Sequence, residues 1–100
     1  MKFNTRHLIN MIEGWGDYEL GPLKDAEVVN VDRIREGRWE ATNQVVFRYN
    51  GKLYAINIQV PLTEIQDVED FGLYGEEQEC PEVEEYSITV TKYRRISEHD

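Results

Sequence analysis

The chain has 100 residues, of which 20 are Asp or Glu and 11 are Lys or Arg, a formal charge of -9 at pH 7, with 40% hydrophobic and 11% aromatic residues. That length supports one core and one domain spanning residues 1–100, and the Trp, Tyr, Phe, Val and Ile content excludes a disordered acidic tail. No apolar run approaches the ~20 residues of a membrane helix, and residues 1–4 lack the apolar stretch of a secretion signal, so a cytoplasmic protein is expected. Cys80 is the single cysteine, which excludes an internal disulfide and any zinc site built on paired cysteines.

The first segment predicts a helix over about residues 4–15. Asn4 is placed to cap it, and Phe3 and Leu8 have the spacing of a hydrophobic staple. Leu8, Met11, Ile12 and Trp15 recur at helical intervals, which leaves Arg6, Asn10 and Glu13 on the outer side, and Gly14 and Gly16 bracket the end. So short a helix is marginal alone and needs a surface to dock on.

That surface is a sheet. After Gly21-Pro22, segments 27–35, 38–49 and 52–60 are rich in β-branched and aromatic residues. Asn50-Gly51 is a two-residue hairpin signal that sets Tyr49 opposite Lys52, Phe47 opposite Tyr54, Val45 opposite Ile56 and Ala41 opposite Val60. Thr42, Gln44, Arg48, Asn57 and Gln59 then share the reverse face, so turn and alternation agree. For the first hairpin, a two-residue loop at Glu36-Gly37 would bury Asn30 and Asp32. A three-residue loop with Gly37 left-handed buries Val29 and Val31 instead, avoiding roughly 1–3 kcal/mol per unpaired polar group, and is the predicted form. Trp39 then lies on the apolar face with Ala41 and Val45. A fourth strand is predicted over 86–93, where Tyr86, Ile88 and Val90 alternate with Ser87, Thr89 and Thr91. The fold class is α+β: one short N-terminal helix on a four-stranded antiparallel sheet, with a long acidic loop over 61–85 before the last strand.

That loop carries Glu64, Asp67, Glu69, Asp70, Glu76, Glu77, Glu79, Glu82, Glu84 and Glu85, ten carboxylates in 22 residues with no Lys or Arg among them. The first 50 residues, with eight acids and seven bases, carry -1, and the last 50, with twelve and four, carry -8. Thr63 and Gln66 have capping-box spacing, so a helical turn is expected there. Phe71, Leu73 and Tyr74 interrupt the acids and either form an apolar patch for a partner or pin the loop to the sheet. Lys92, Arg94 and Arg95 are candidates to fold back and neutralise part of the run.

Catalytic signatures are lacking. His7 and His99 have no Ser or Cys partner motif, and the acids around Cys80 disfavour a thiolate. Segment 67–70 lacks the ligand spacing of a calcium loop. The sequence therefore predicts no enzyme, no metal and no cofactor. An acidic surface disfavours direct nucleic-acid binding and favours a basic protein partner. The partner-binding residues predicted are Glu64, Asp67, Glu69, Asp70, Phe71, Tyr74, Glu76, Glu77, Glu79, Glu82, Glu84 and Glu85.

In size, acidity and element style, and in the closing 81–93 segment from Pro81 to Tyr93, the chain resembles small phage- and mobile-element-encoded proteins. Some of these are anti-CRISPR proteins and inhibitors of restriction or glycosylase enzymes that resemble DNA in charge. The resemblance implies a DNA-mimic inhibitor in the host cytoplasm that occupies the basic groove of a nucleic-acid-handling protein of host defence or repair. The alternative is a phage interaction or assembly protein, perhaps a dimer joined by strand edges, whose acidity only keeps it soluble.

Overall fold

The computed structural model describes residues 1–14, 19–62 and 68–96. Trp15, Tyr18, the Thr63 and Gln66 capping box, Glu64, Asp67 and His99 lie outside the described residues.

The chain opens with a strand, β1 (Lys2–Asn4), and passes directly into α1 (Thr5–Glu13). The Asn4 side chain accepts from the His7 N–H at 3.1 Å, and Gly14, at φ 76°, donates its N–H to the Asn10 and Met11 carbonyls, so the caps fall where the sequence places them. Leu8 and Met11 face the core. Asn10, expected on the outer side, is buried instead. Glu19 lies against that flank, and the Asn10 amide donates to its carbonyl at 2.8 Å. A 3-10 turn at Gly21–Asp25 follows, with Leu23 fully buried.

Gly21 sits against the helix at φ +53°, where an added Cβ would lie 2.3 Å from His7 Cε1 and 2.5 Å from its Nδ1. Gly21→Ala is therefore expected to destabilise the fold by about 2 kcal/mol, from the left-handed backbone and the clash together. A urea midpoint equal to that of the wild type would contradict this.

The main sheet is antiparallel in the order β2-β3-β4-β6, formed by β2 (Glu27–Glu36), β3 (Glu40–Tyr49), β4 (Lys52–Pro61) and β6 (Glu82–Val83). The β3–β4 register is the one the Asn50-Gly51 turn dictates, with Phe47 opposite Tyr54 and Ala41 opposite Val60. Both turn residues have positive φ (53° and 79°), as a type I′ turn needs. On the reverse face the Thr42 hydroxyl donates to the Gln59 side chain at 3.3 Å.

The first hairpin departs from expectation. Its tip is Arg38-Trp39, with the Gly37 N–H donating to the Glu40 carbonyl at 2.8 Å, and Gly37 does not have positive φ. Trp39 leaves the apolar face for this tip, 49% exposed, with the Arg38 guanidinium 5.0 Å from its ring. Two register shifts, between Val28 and Asn30 and between Arg33 and Arg35, set Val28 opposite Phe47 and Val31 opposite Val45. Val28 packs against the core, while Val29 and Val31 are not buried as predicted: Val29 falls in the bulge and lines the reverse-face groove with Asn30 and Val46, and Val31, though opposite the buried Val45, is 51% exposed.

The strand expected over 86–93 does not form. The fourth strand is the two-residue β6, which pairs Val83 with Leu53 and Glu82 with Tyr54. Continuing that register would set Glu84 opposite Lys52 and Glu85 opposite Gly51, where β4 ends in its turn. The chain runs out of partner before Tyr86 and emerges exposed.

A second sheet lies inside the segment expected to be loop. β5 (Glu77–Glu79) pairs antiparallel with β1, Phe3 opposite Gln78, and the ladder is extended by Thr5 N–H to the Glu76 carbonyl at 2.9 Å and Cys80 N–H to the Met1 carbonyl at 2.8 Å. Phe3 anchors this layer. It meets Phe47, Tyr49 and Tyr54 edge-on, with centroids 5.4, 5.3 and 5.6 Å away.

Candidate partner-binding surface

Beyond β4, the described part of the acidic run begins with a 3-10 turn at Glu69–Gly72. Asp70 (φ 50°, ψ 37°), Phe71 (φ 56°, ψ 22°) and Gly72 (φ 72°) are consecutive left-handed residues. For the two that are not glycine this costs about 1–2 kcal/mol each. Packing holds them there: Phe71 and Leu73 lie against the core, and a Cβ on Gly72 would come 2.8 Å from Gln59 Cγ. Of the predicted aromatic anchors, Phe71 thus pins the segment to the body, and Tyr74, 84% exposed, is the one displayed.

Glu69, Asp70, Tyr74 and Glu76 line one groove of about 760 Å³ beside the start of α1, together with Asn4, Thr5 and Arg6. Glu77 and Glu79 follow on β5, where the two-residue period turns both outward and Gln78 inward. The Gln78 amide donates to the Thr5 hydroxyl at 3.1 Å and also to the Tyr74 carbonyl. Glu84 and Glu85 line a separate groove of about 620 Å³ on the reverse face of the main sheet, shared with Val46 and Arg48. The eight described acids of the run therefore do not form one block. Glu69, Asp70 and Glu76 line one groove and Glu84 and Glu85 the other, with Glu77 and Glu79 on β5 and Glu82 on β6.

Three of the described acids have cationic neighbours: Asp70 meets Arg6 at 3.4 Å, Glu79 the Met1 α-amino group at 3.0 Å and Glu82 the Lys52 ammonium at 3.6 Å. All three pairs are solvent-accessible, each worth about 0–1 kcal/mol. Among the described residues, Glu69, Glu76, Glu77, Glu84 and Glu85 make no ion pair, and neither do Lys92, Arg94 and Arg95. The basic residues that were candidates to fold back stand on the exposed C-terminal segment instead.

No protein-family model, curated protein or solved structure matches the chain. Its chemistry must be read from its own side chains.

Cys80 is the residue in this region whose role the sequence hides. It is fully buried in the core cluster. Burial pushes its thiol up to about 11, with Glu79 adding to the rise and the α-amino group opposing it. A thiol held in its protonated form is no nucleophile. The signal was the alternation itself, since Gln78 and Cys80 share the parity opposite to Glu77 and Glu79. Among the described residues, no three His, Cys, Asp or Glu side chains converge as a metal site, and no helix is long and apolar enough to cross a membrane.

Proposed function

We propose that the chain is a non-enzymatic acidic binding module that inhibits a nucleic-acid-handling protein by occupying its basic groove, as phage-encoded anti-defence inhibitors of the DNA-mimic type do. One observation carries the reading: Glu69, Glu76 and Glu77 are solvent-presented, without cationic partners among the described residues, on a segment that the core and β1 hold in place, and Glu84 and Glu85 add unpaired charge just past β6. Carboxylates fixed on a strand and a pinned turn lose less entropy on binding than the same charges on a free loop. Uncompensated like charge on an ordered scaffold steers a cationic surface toward it. Tyr74 stands exposed at the rim of the first groove as an aromatic anchor.

The test is competition. The purified protein is titrated against fluorescent duplex DNA bound to each of a panel of host nucleic-acid-binding proteins, and kinetics are then measured on the protein from which DNA is displaced. Replacing Glu76, Glu77, Glu79, Glu82, Glu84 and Glu85 by Gln leaves the buried apolar residues untouched, so melting should be retained. Association should slow about tenfold or more, with a flatter salt dependence. Tyr74→Ala should instead hasten dissociation. A six-Gln variant that stays folded and associates at the original rate would refute the reading.

A further inference from the structure

The reverse face of the main sheet is open at the point where the C-terminal segment leaves it. Val29, Val46, Leu53 and Val83 are the apolar lining of the groove of about 620 Å³ on that face, and Tyr86 borders it too. Asp32, Arg48, Glu84 and Glu85 bring both signs of charge to the same groove, and Arg48 already meets Glu27 at 3.8 Å, so charge singles out no ligand. What the groove lacks is apolar cover.

The segment that starts at its border is apolar on one side and unattached. Tyr86, Ile88 and Val90 alternate with Ser87, Thr89 and Thr91, and the three apolar residues are 79%, 70% and 58% exposed. Among the described residues, no hydrogen bond or ion pair ties 86–96 to the rest of the chain. The radius of gyration, 17.4 Å, exceeds the roughly 13 Å of a compact 100-residue domain, in keeping with a segment that stands off the body. A contiguous exposed apolar stripe marks a surface that packs against something.

Continuity, parity and reach select the chain's own groove. Glu84, Glu85 and Tyr86 already line it together with Val29 of β2 and Val46 of β3, so the path across the face has begun. With a two-residue period, turning Tyr86 onto the sheet turns Ile88 and Val90 the same way and leaves Ser87, Thr89 and Thr91 in water. From β6 to β2 is three inter-strand spacings of about 4.8 Å, roughly 14 Å, and the five residues from Val83 to Ile88 span roughly 16 Å at about 3.3 Å each. A short tether also holds the segment at a millimolar effective concentration over this groove, far above any second copy at micromolar concentration.

We propose that segment 86–90 is a strap that closes over the reverse-face groove of its own chain, seating Tyr86 and Ile88 against Val46 and Leu53 and bringing Val90 to the β2 side beside Val29. The proposal does not rest on the acidic-groove reading, because every measurement that tests it is made on the chain alone.

The first test is Ile88→Asp with Val90→Asp. Both residues lie outside the helix and strands, so the core is untouched, and on a segment that stays off the body the change would leave melting where it was. A closed strap loses its apolar contact, and the melting temperature should fall by about 4 °C or more. The second test locates the strap. Val46→Cys with Ile88→Cys should form an intramolecular disulfide under mild oxidation at least tenfold faster than Asn57→Cys with Ile88→Cys, since Asn57 is exposed on the same face but outside the groove, and a disulfide needs Cα atoms within about 7 Å. Cys80 is buried and does not compete. Amide exchange at 87–90 should be slowed equally at 5 and at about 100 µM, a range that a second copy bound through a small interface would register. Unchanged melting of the double Asp variant, equal cross-linking rates for the two cysteine pairs, or protection that grows with concentration would each overturn the proposal.

Discussion

Phe3→Ala is expected to destabilise the protein by about 3–5 kcal/mol, the range for deleting a buried phenylalanine side chain. Phe3 is 4% exposed although it lies on a three-residue strand near the start of the chain. Its ring contacts the edges or faces of Phe47, Tyr49 and Tyr54, so truncation removes apolar burial and three aromatic pairs at once. The consequence reaches the acidic surface. β5 is held by β1, and once Phe3 no longer anchors β1, Glu77 and Glu79 lose the ladder that orders them. Urea unfolding should show the lowered midpoint, and amide exchange at 77–79 should accelerate more than exchange in the β3–β4 hairpin. Tyr74→Ala, at an exposed position, serves as control and should change stability by less than about 0.5 kcal/mol. A Phe3→Ala cost near that of the control would mean that β1 is not what holds the acidic segment.

The contrast between the two hairpins shows which parts of this fold are written locally. In β3–β4 the turn dipeptide and the two-residue alternation specify the same register, so the pairing can be derived rung by rung. In β2–β3 the tip is Arg38-Trp39, which carries no turn chemistry, while the nearby Gly37 points to a tip one or two residues too early. Each bulge then adds a residue that shifts the side-chain parity, and nothing in the alternation marks where. The helix caps were legible for the same reason as the second hairpin, since Asn4 and Gly14 act on neighbours within four residues.

Non-local pairing explains the remaining departures. β1 is three residues long and its partner lies more than seventy residues away, so no window of sequence contains both. Segment 86–93 has strand character throughout, but strand propensity expresses fit to a neighbour, and the register of β6 against β4 exhausts the neighbour at the Asn50-Gly51 turn. At the acidic surface, the composition identified the run and left open whether its apolar residues pin it or face outward. The structure divides them, with Phe71 and Leu73 inward and Tyr74 outward. The left-handed conformations of Asp70 and Phe71, which make that division possible, are imposed by packing and leave no trace in residue type.

Cys80 gives the remaining large effect, read against pH. Its folded pKa is raised from 9.0 to about 11, chiefly by burial, so between those values the unfolded chain has released the thiol proton and the native chain still holds it. With fewer protons bound by the unfolded state, stability falls as pH rises. The contribution is fully present below about pH 9 and declines through pH 11, by about 3 kcal/mol in all for two pKa units. Tyrosines and lysines titrate in the same window, so the quantity to measure is a difference. Urea stability of the wild type and of Cys80→Ala is followed from pH 8 to pH 11.5. The variant starts lower because it leaves a small cavity where the sulfur packed, and the gap between the two should then close, or reverse, as the wild type loses stability that the variant does not have to lose. Parallel curves would show that the thiol ionises as readily in the folded chain as in the unfolded one, and that the layer between β1 and β4 is open to water at that point.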